Sequence, residues 1–406
     1  MKKHLLFICH RIPFPPNKGE KIRSFHILKY LSRGYDVSLA FLYDDLGDAR
    51  HVDSLNSLVI NILHDYIHPT IKKCLCVPTF VSSLPLSIPY FYSTKLQTDL
   101  DQLLDEHPAD VVFCSSSPVA EYIFRSRHYH GPLRKATLVM DLIDVDSEKW
   151  RQYADNCHWP LNWLFRREAR TLLAYEAKIE REFDSILLTS GIEKGLFLSH
   201  IPSDKIEAVS NGVDLSFFTP DHESPFEKSS PVLVFTGAMD YKPNIDGTVW
   251  FACQILPLVR DQFPSVEFFI VGSHPVPVVT RLAEQPGIHV TGFVNDVRDY
   301  LALADVCVCP LRIARGIQNK VLEAMAMGKS MVCSPEALKG IKAEAGQEIL
   351  VAGDADLFAA AICRLLADND ERSRIGNKAR QRMEQDYSWE RNLCRLDVIL
   401  NIPHDS

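Results

Sequence analysis

Cys307–Ser334, CVCPLRIARGIQNKVLEAMAMGKSMVCS, decides how the rest of the chain is read. Val306 and Val308 end a strand, a charged loop follows, then a helix and a second strand. Pro310 and Gly316 keep the loop from coiling into helix. From Asn319 the spacing turns helical: Val321, Leu322, Met325 and Ala326 share one face, and Gly328 is a stop signal. The helix therefore starts among Gly316, Ile317, Gln318 and Asn319, with free N–H groups facing the loop. That end, with Arg315 and Lys320 beside it, suits an anion. Glu323 lies one turn in. A carboxylate repels phosphate but accepts hydroxyl protons, so a ribose fits it, and phosphate with ribose means a nucleotide.

Working outward, 406 residues predict two domains of roughly 200 each. Hydrophobic residues at 46% and charged residues at 24% are those of a soluble globular chain. The net charge of −8 argues against nucleic acid as a partner. The acidity lies late: positions 1–205 hold 25 basic and 25 acidic residues, the remainder 19 and 27. Among the 11 cysteines, Cys74 and Cys76, like Cys307 and Cys309, are one residue apart, and no CxxC pair occurs. We expect no metal site, a reducing cytoplasmic setting, and Cys307 and Cys309 packed on one strand face. No stretch is long and apolar enough to span a membrane, and LLFIC reads as a first strand.

From the start, Leu5–Cys9 is the apolar run of a strand buried on both faces. RIPFPPNKGEKIRS follows, a proline-rich loop in which Gly19 is flanked by Lys18, Lys21 and Arg23; then come a helix to Leu31 and a strand at Val37–Leu42. This is the opening of a doubly wound α/β domain, whose ligands sit beyond the carboxyl ends of the strands. Gly19 is either a plain turn glycine or a point of close backbone approach. Val77–Tyr92, apolar, aromatic and broken by three prolines, is either core or an exposed acceptor- or lipid-facing patch.

Strands follow at Val111–Phe113 and Leu138–Met140, the second ending in DLIDVDSEKW. Capping claims Asp146 or Ser147, which leaves Asp141 and Asp144 open at the strand tip. A long helix at Leu161–Phe183 carries Arg166, Arg167 and Arg170 on a solvated face. Strands at Ile186–Leu188 and Ile206–Val209 close the first domain at Asn211–Gly212. Val232–Phe235 opens the second domain into TGAMDYKPNID, where Gly237 makes a tight turn and Lys242 reaches toward a phosphate from the loop before a helix at about Thr248–Leu256. Val266–Val271 ends in Gly272–Ser273, another place for backbone to pass close to a ligand. Ile288–Val290, Gly292, Phe293 and Val294 follow, then a helix at Asp296–Leu303.

LEAMAMGKSMV resembles the donor-site signature of family 4 retaining glycosyltransferases, and PPNKGEKIRS, MDYKPNID and GIQNKVLEAMAMGK look closest to the PEP-CTERM/exosortase-associated sugar transferases. The resemblance implies the α/β GT-B fold: two facing Rossmann-like doubly wound domains, 1–212 on the acceptor side and 213–386 for the donor, with 387–406 crossing back as a C-terminal helix. It implies transfer of a sugar, with retained configuration, from a nucleotide-sugar donor to a hydroxyl of a glycan or lipid-linked acceptor in exopolysaccharide biosynthesis. The donor is a substrate, so no cofactor is expected. Peripheral association with the inner membrane face follows from a lipid-linked acceptor.

By the same resemblance Gly19, Lys21 and Arg23 face the cleft, the last two on the acceptor side, and backbone near Phe293 and Val294 meets the base. Gly237, Lys242, Gly272, Gly316, Asn319, Lys320 and Glu323 complete the donor site. Three departures matter. Arg315 stands where the family carries the first of two glutamates, Ala238 stands where an arginine partners Lys242, and the usual strand-tip histidine is missing. Arg315 then supplies the lost cation at the diphosphate, and Asp144 or Asp141 replaces the histidine. The rivals are a non-catalytic nucleotide-sugar binding protein and a nucleotide-sugar 2-epimerase.

Overall fold

The structure is a computed structural model describing residues 2–76, 79, 82–155, 157–314 and 316–400. It divides into two compact units, residues 2–209 with 393–400, and residues 210–392. The first holds β1 (Lys3–Cys9), β2 (Tyr35–Tyr43), β3 (Asn61–Tyr66), β4 (Val111–Ser115), β5 (Thr137–Ile143), β6 (Ser185–Leu188) and β7 (Ile206–Ala208). They form one parallel sheet in the order β3-β2-β1-β4-β5-β6-β7. Apolar runs such as Leu5–Ile8 and Val111–Phe113 are fully buried because helices cover both faces. The segment from Leu393 belongs to this unit: Tyr30 donates its hydroxyl proton to Asp397 at 2.7 Å.

The second unit is a parallel sheet of β8 (Val232–Thr236), β9 (Glu267–Val271), β10 (Ile288–Gly292), β11 (Val306–Cys309), β12 (Met331–Cys333) and β13 (Leu350–Val351), ordered β10-β9-β8-β11-β12-β13. Phe235, Phe251, Phe268, Leu322 and Phe358 are among the side chains filling its core, and Cys307 and Cys309 are buried with them.

In both sheets the strand order reverses beside the first strand, between β1 and β4 and between β8 and β11. Such reversals open a crevice at the carboxyl ends of the strands, where ligands of this architecture bind.

Several boundaries differ from the sequence reading, each for a physical reason. The 242–260 region is helical from Lys242, because Pro243 suits a first turn. It passes through one π turn at Phe251–Ile255, next to Pro257, which has no N–H for the helical ladder. β3 has no counterpart in the reading: its six residues are all half-buried at the sheet edge, so it shows no apolar run. β5 runs on through Asp141 to Ile143 instead of ending at Met140.

Candidate functional site

The helix Asn319–Ala326 carries the second unit's site. Gln318 precedes it without a side-chain cap, and its register buries Val321, Leu322, Met325 and Ala326. Ala326 is its last residue, with Gly328 at φ +66° beyond it. Lys320, in the first turn, points at the β8 turn: its Nζ donates to Asn244 Oδ1 at 2.5 Å and lies 4.5 Å from the Phe235 ring centroid. Asn244 in turn donates from Nδ2 to the Ala238 carbonyl at 2.8 Å. One ammonium is thus held by an amide, an aromatic face and a backbone turn, all at the carboxyl end of β8.

Burial pushes the Lys320 pKa down, with Cys309 and Glu323 opposing the shift. Burial likewise pushes half-buried Glu323 up to about 7, against the pull of the Lys320 charge. Both groups are poised for a partner of opposite character. An anion beside the ammonium and hydroxyls beside the carboxylate would each relieve the desolvation.

Glycine makes room for that partner. Gly237 and Gly272 adopt φ of +154° and +153°. A Cβ on Gly272 would stand 1.7 Å from the Gly237 carbonyl oxygen, and one on Gly237 would stand 2.7 Å from Lys320 Nζ. The Gly272→Ala variant is therefore expected to unfold at lower denaturant, by about 3 kcal/mol or more, with strained backbone and a clash acting together. Urea titration checks this; a midpoint equal to wild type would show that the turn tolerates a side chain.

The other expected donor residues fall around this edge. Gly316 turns the loop after β11 at φ +61°. Asn319 opens the helix, and its Oδ1 accepts from Asn211 Nδ2 at 3.1 Å. Gly292 ends β10 at φ +68°, leaving Phe293 exposed and Val294 half-buried after it. Lys242 is corrected: it is the exposed first residue of a helix, not part of a loop, and Asn244 two positions on is the residue that touches Lys320. Arg315 lies outside the described residues. Sequence reasoning missed Asn244, although its place in the first turn after KP gave a signal. Among the described residues one three-ligand metal group exists, His222 with Asp296 and Asp299. Arg298 already spans Asp296, with its Nε 3.0 Å from both carboxylate oxygens, so the group does not suit an ion.

In the first unit the strand reversal lies between His10, just past β1, and Ser116, just past β4. Ser116 has φ +83° and Ile143, at the next strand's end, φ +72°. The second is a rare conformation for a β-branched residue, and such strain clusters at functional sites. His10 is nearly fully buried, bonded to backbone at Ser115, edge-on to Phe91 at 5.0 Å, with Nδ1 unpartnered. Burial, aided by the charge of Arg11, lowers its pKa to about 4, so the ring is neutral at pH 7. Burial alone would raise Glu20, but His10, Arg11 and Lys18 outweigh it and hold its pKa down. Sequence reading missed His10 because the expectation looked for a histidine at the β5 tip.

Three expected residues prove structural here. Asp141 lies within β5, fully buried: Arg23 Nε donates to its Oδ1 and Oδ2 at 3.0 and 2.8 Å, and Nη2 to Oδ1 at 2.8 Å. Arg23 also donates to the Val209 carbonyl at 2.8 Å. With both side chains at 0% exposure, neither reaches a ligand, which corrects Asp141 as a catalytic residue and Arg23 as an acceptor contact. Lys21 is likewise buried and paired with Asp48 at 2.8 Å, so its acceptor role is corrected too. Gly19 is the exposed first residue of the helix Gly19–Leu31. Asp144 remains accessible: it is half-buried and accepts from Thr189 Oγ1 at 2.9 Å. Asp146 opens a helix, but Ser147 is no cap; its N–H and hydroxyl both go to Glu176, at 3.0 and 2.6 Å.

With this geometry in place, three solved structures superpose over nearly the whole chain. Sucrose-phosphate synthase from Thermosynechococcus elongatus matches with a TM-score of 0.73 at 16% identity, covering 98% of each chain. The fold is GT-B. Anabaena Alr3699/HepE in complex with UDP matches this GT-B chain at 0.67 and 14% identity, covering 99% of it and 100% of its own chain. WaaG, a glycosyltransferase involved in lipopolysaccharide biosynthesis, matches at 0.66 and 15%, covering 97% and 99%. Residues 230–368, which hold Gly237, Lys320 and Glu323, match the family model described as Glycosyl transferases group 1. A Klebsiella pneumoniae relative, described as an uncharacterized 44.6 kDa protein in the cps region, is 20% identical over 371 residues, 87% of this chain and 89% of its own length.

Proposed function

We propose that this GT-B chain is a metal-independent retaining glycosyltransferase, moving a sugar from a nucleotide-sugar donor to a hydroxyl of a glycan or lipid-linked acceptor in exopolysaccharide biosynthesis. One observation carries the reading: Lys320 is fixed over the Gly237 turn by Asn244 and Phe235, with Glu323 one helical turn behind it. The family match at residues 230–368 supports it, as do the UDP held by HepE and the cps-region setting of the Klebsiella relative. The closeness to PEP-CTERM-associated transferases stays part of the proposal.

Lys320 and the helix N-terminus take the diphosphate, and Gly237 and Gly272 let backbone approach it. Negative charge builds on the diphosphate as the sugar bond breaks, so a preplaced ammonium stabilises that transition more than the ground state. Glu323 accepts the ribose hydroxyls, and Arg315 adds a second cation. The edge of the first unit with His10 and Asp144 takes the acceptor, whose hydroxyl donates to the unpartnered His10 Nδ1.

Thermal shift with UDP, GDP and ADP tests the donor, since a ligand of the folded state raises the melting temperature. One nucleotide should stabilise, and its sugar conjugate should be hydrolysed slowly or transferred. Binding without any turnover across a donor panel would leave a binding protein and sink the enzyme reading; a 2-epimer formed without acceptor would make it an epimerase.

Glu323 supplies the pH test. A carboxyl raised from 4.5 to about 7 in the folded state holds its proton longer than when unfolded. Its contribution to stability therefore falls as pH rises from about 4.5 to 7, and its ribose bond strengthens over the same climb. Nucleotide affinity should increase from pH 6 to 8 in wild type and stay flat in Glu323→Gln. Parallel pH profiles for the two proteins would remove Glu323 from the ribose.

A further inference from the structure

We propose that a cavity of about 360 Å³ on the second unit binds the phosphate monoester of a small sugar, at a site separate from the donor edge. Its position follows from the parallel sheet. Asp305 immediately precedes β11 and Ser330 immediately precedes β12. Asp305 also accepts the N–H of Val232, the first residue of β8, at 2.9 Å. The cavity therefore lies at the amino ends of the strands, whereas Gly237 and Lys320 lie at the carboxyl ends, the usual place for a ligand of this architecture. The helix Asn319–Ala326 joins the two edges, with Lys320 in its first turn and Gly328 and Lys329 just past its end.

Charge decides what the cavity holds. Among the described residues, its wall carries three cations, Lys228, Lys329 and Arg372, and one carboxylate, Asp305. Asp305 Oδ1 serves two of the cations at once, with Lys228 Nζ at 2.6 Å and Arg372 Nη2 at 3.5 Å. Lys329 donates from Nζ to the carbonyls of Ala302 and Ala304 at 2.6 and 3.2 Å, dipoles that steady the ammonium without neutralising it. Burial pushes the Lys329 pKa down, and the charges of Lys228 and Arg372 add to the shift against Cys307 and Asp305. Capping a helix C-terminus accounts for Lys329 alone. It does not account for two further cations gathered on a single carboxylate. The excess of two positive charges matches a phosphate monoester, which carries about −1.5 to −2 at pH 7.

The wall is fixed in place. Arg372 stands one turn before Gly376 on the helix Asn369–Asp386, and a Cβ on Gly376 would lie 2.1 Å from the Gly328 carbonyl oxygen. Arg372 Nη1 donates to the Leu365 carbonyl at 2.8 Å. Phe226 lines the same cavity, 43% exposed, with its ring 4.9 Å from that of Tyr300. An aromatic ring propped in this way offers an apolar surface to the C–H side of a sugar whose phosphate meets the cations. Ligand cavities run from about 300 to 1,000 Å³, so this one suits a single sugar and not a nucleotide-sugar or oligosaccharide.

Calorimetric titration of the full-length protein with glucose 6-phosphate, in buffer free of phosphate, tests this. One molecule per chain should bind, about ten-fold tighter than inorganic phosphate, while glucose gives no heat. Arg372→Gln and Lys228→Gln should each weaken binding about ten-fold, the loss of one charge-assisted hydrogen bond. Lys228 is exposed, so its variant keeps the test valid should Arg372→Gln fail to fold. Asp305→Asn, which retains an acceptor for the Val232 N–H, should tighten binding, a sign that damage to the fold would not produce. Phe226→Ala should bring glucose 6-phosphate down to the affinity of inorganic phosphate. Saturating UDP and the Lys320→Met substitution should both leave the binding in place, so failure here and failure of the donor-site reading are distinguishable. No saturable heat, heat displaced by UDP, equal affinity for inorganic phosphate, or binding unchanged in both cation variants would each overturn the proposal.

Discussion

Replacing Lys320 by methionine is expected to lower turnover with the nucleotide-sugar donor by about a hundred-fold or more, the range seen when one preorganised donor to a developing anion is removed. The size follows from how the ammonium is held. It sits half-buried between Asn244 Oδ1 at 2.5 Å and the Phe235 ring, where its field on a phosphate is stronger than in open water. Burial lowers its pKa, with Cys309 and Glu323 opposing the shift, and an incoming diphosphate would offset the desolvation of the ammonium. Methionine keeps the apolar stem but removes the charge and the Asn244 bond. The nucleotide-free protein should therefore melt near the wild-type temperature while its UDP shift disappears. Exposed Lys242, at the start of the neighbouring helix, should matter less, by about ten-fold, because water screens it. If Lys320→Met bound UDP like wild type, the diphosphate would lie elsewhere and the proposed mechanism would fail.

The largest effect on stability should come from Asp141→Asn, a loss of about 3–5 kcal/mol, since it leaves the Arg23 charge buried without its counter-ion. Arg23 joins β5 to the Val209 carbonyl at the end of the first unit, so urea unfolding should report the loss across that unit. Replacing both partners by well-packed apolar groups, Arg23→Met/Asp141→Leu, should recover part of the stability, because removing a buried pair costs less than breaking one. An Asp141→Asn protein that unfolds at the wild-type urea concentration, yet has lost activity, would return Asp141 to the list of catalytic groups.

These two predictions separate what was legible in the sequence from what was not. The donor edge was legible because its signals are local. Glycines at Gly237 and Gly272 follow apolar runs, a helix period begins at Asn319, and Lys320 and Glu323 sit at fixed offsets in it. The charged residues of the first unit were not. Asp141 read as a strand tip because a carboxylate rarely lies inside a buried strand, and its partner Arg23 is 118 positions away. Lys21 and Asp48 repeat the pattern at shorter range. Half of the Val77–Tyr92 question is also settled by packing: Pro85 and Ile88 are buried and Tyr90–Tyr92 half-buried, while Val77, Pro78, Phe80 and Val81 lie outside the described residues. The exposed edge lies instead at Trp159–Trp163, where the arginines read as one solvated face divide between solvent and the carbonyls of Ser82 and Leu84.

Periodicity and turn chemistry act within a few residues, so the sequence by itself determined the two doubly wound units, the strand–turn–helix around Gly237 and Lys320, and the helix that carries Glu323. Only the tertiary structure decided which charges meet. It bound Arg23 to Asp141 out of reach of any ligand, placed Asn244 on Lys320, and left the His10 imidazole nitrogen without a partner at the strand reversal. The reason is that a charge in a folded chain is defined by its desolvation and its neighbours, and those arrive from distant parts of the sequence.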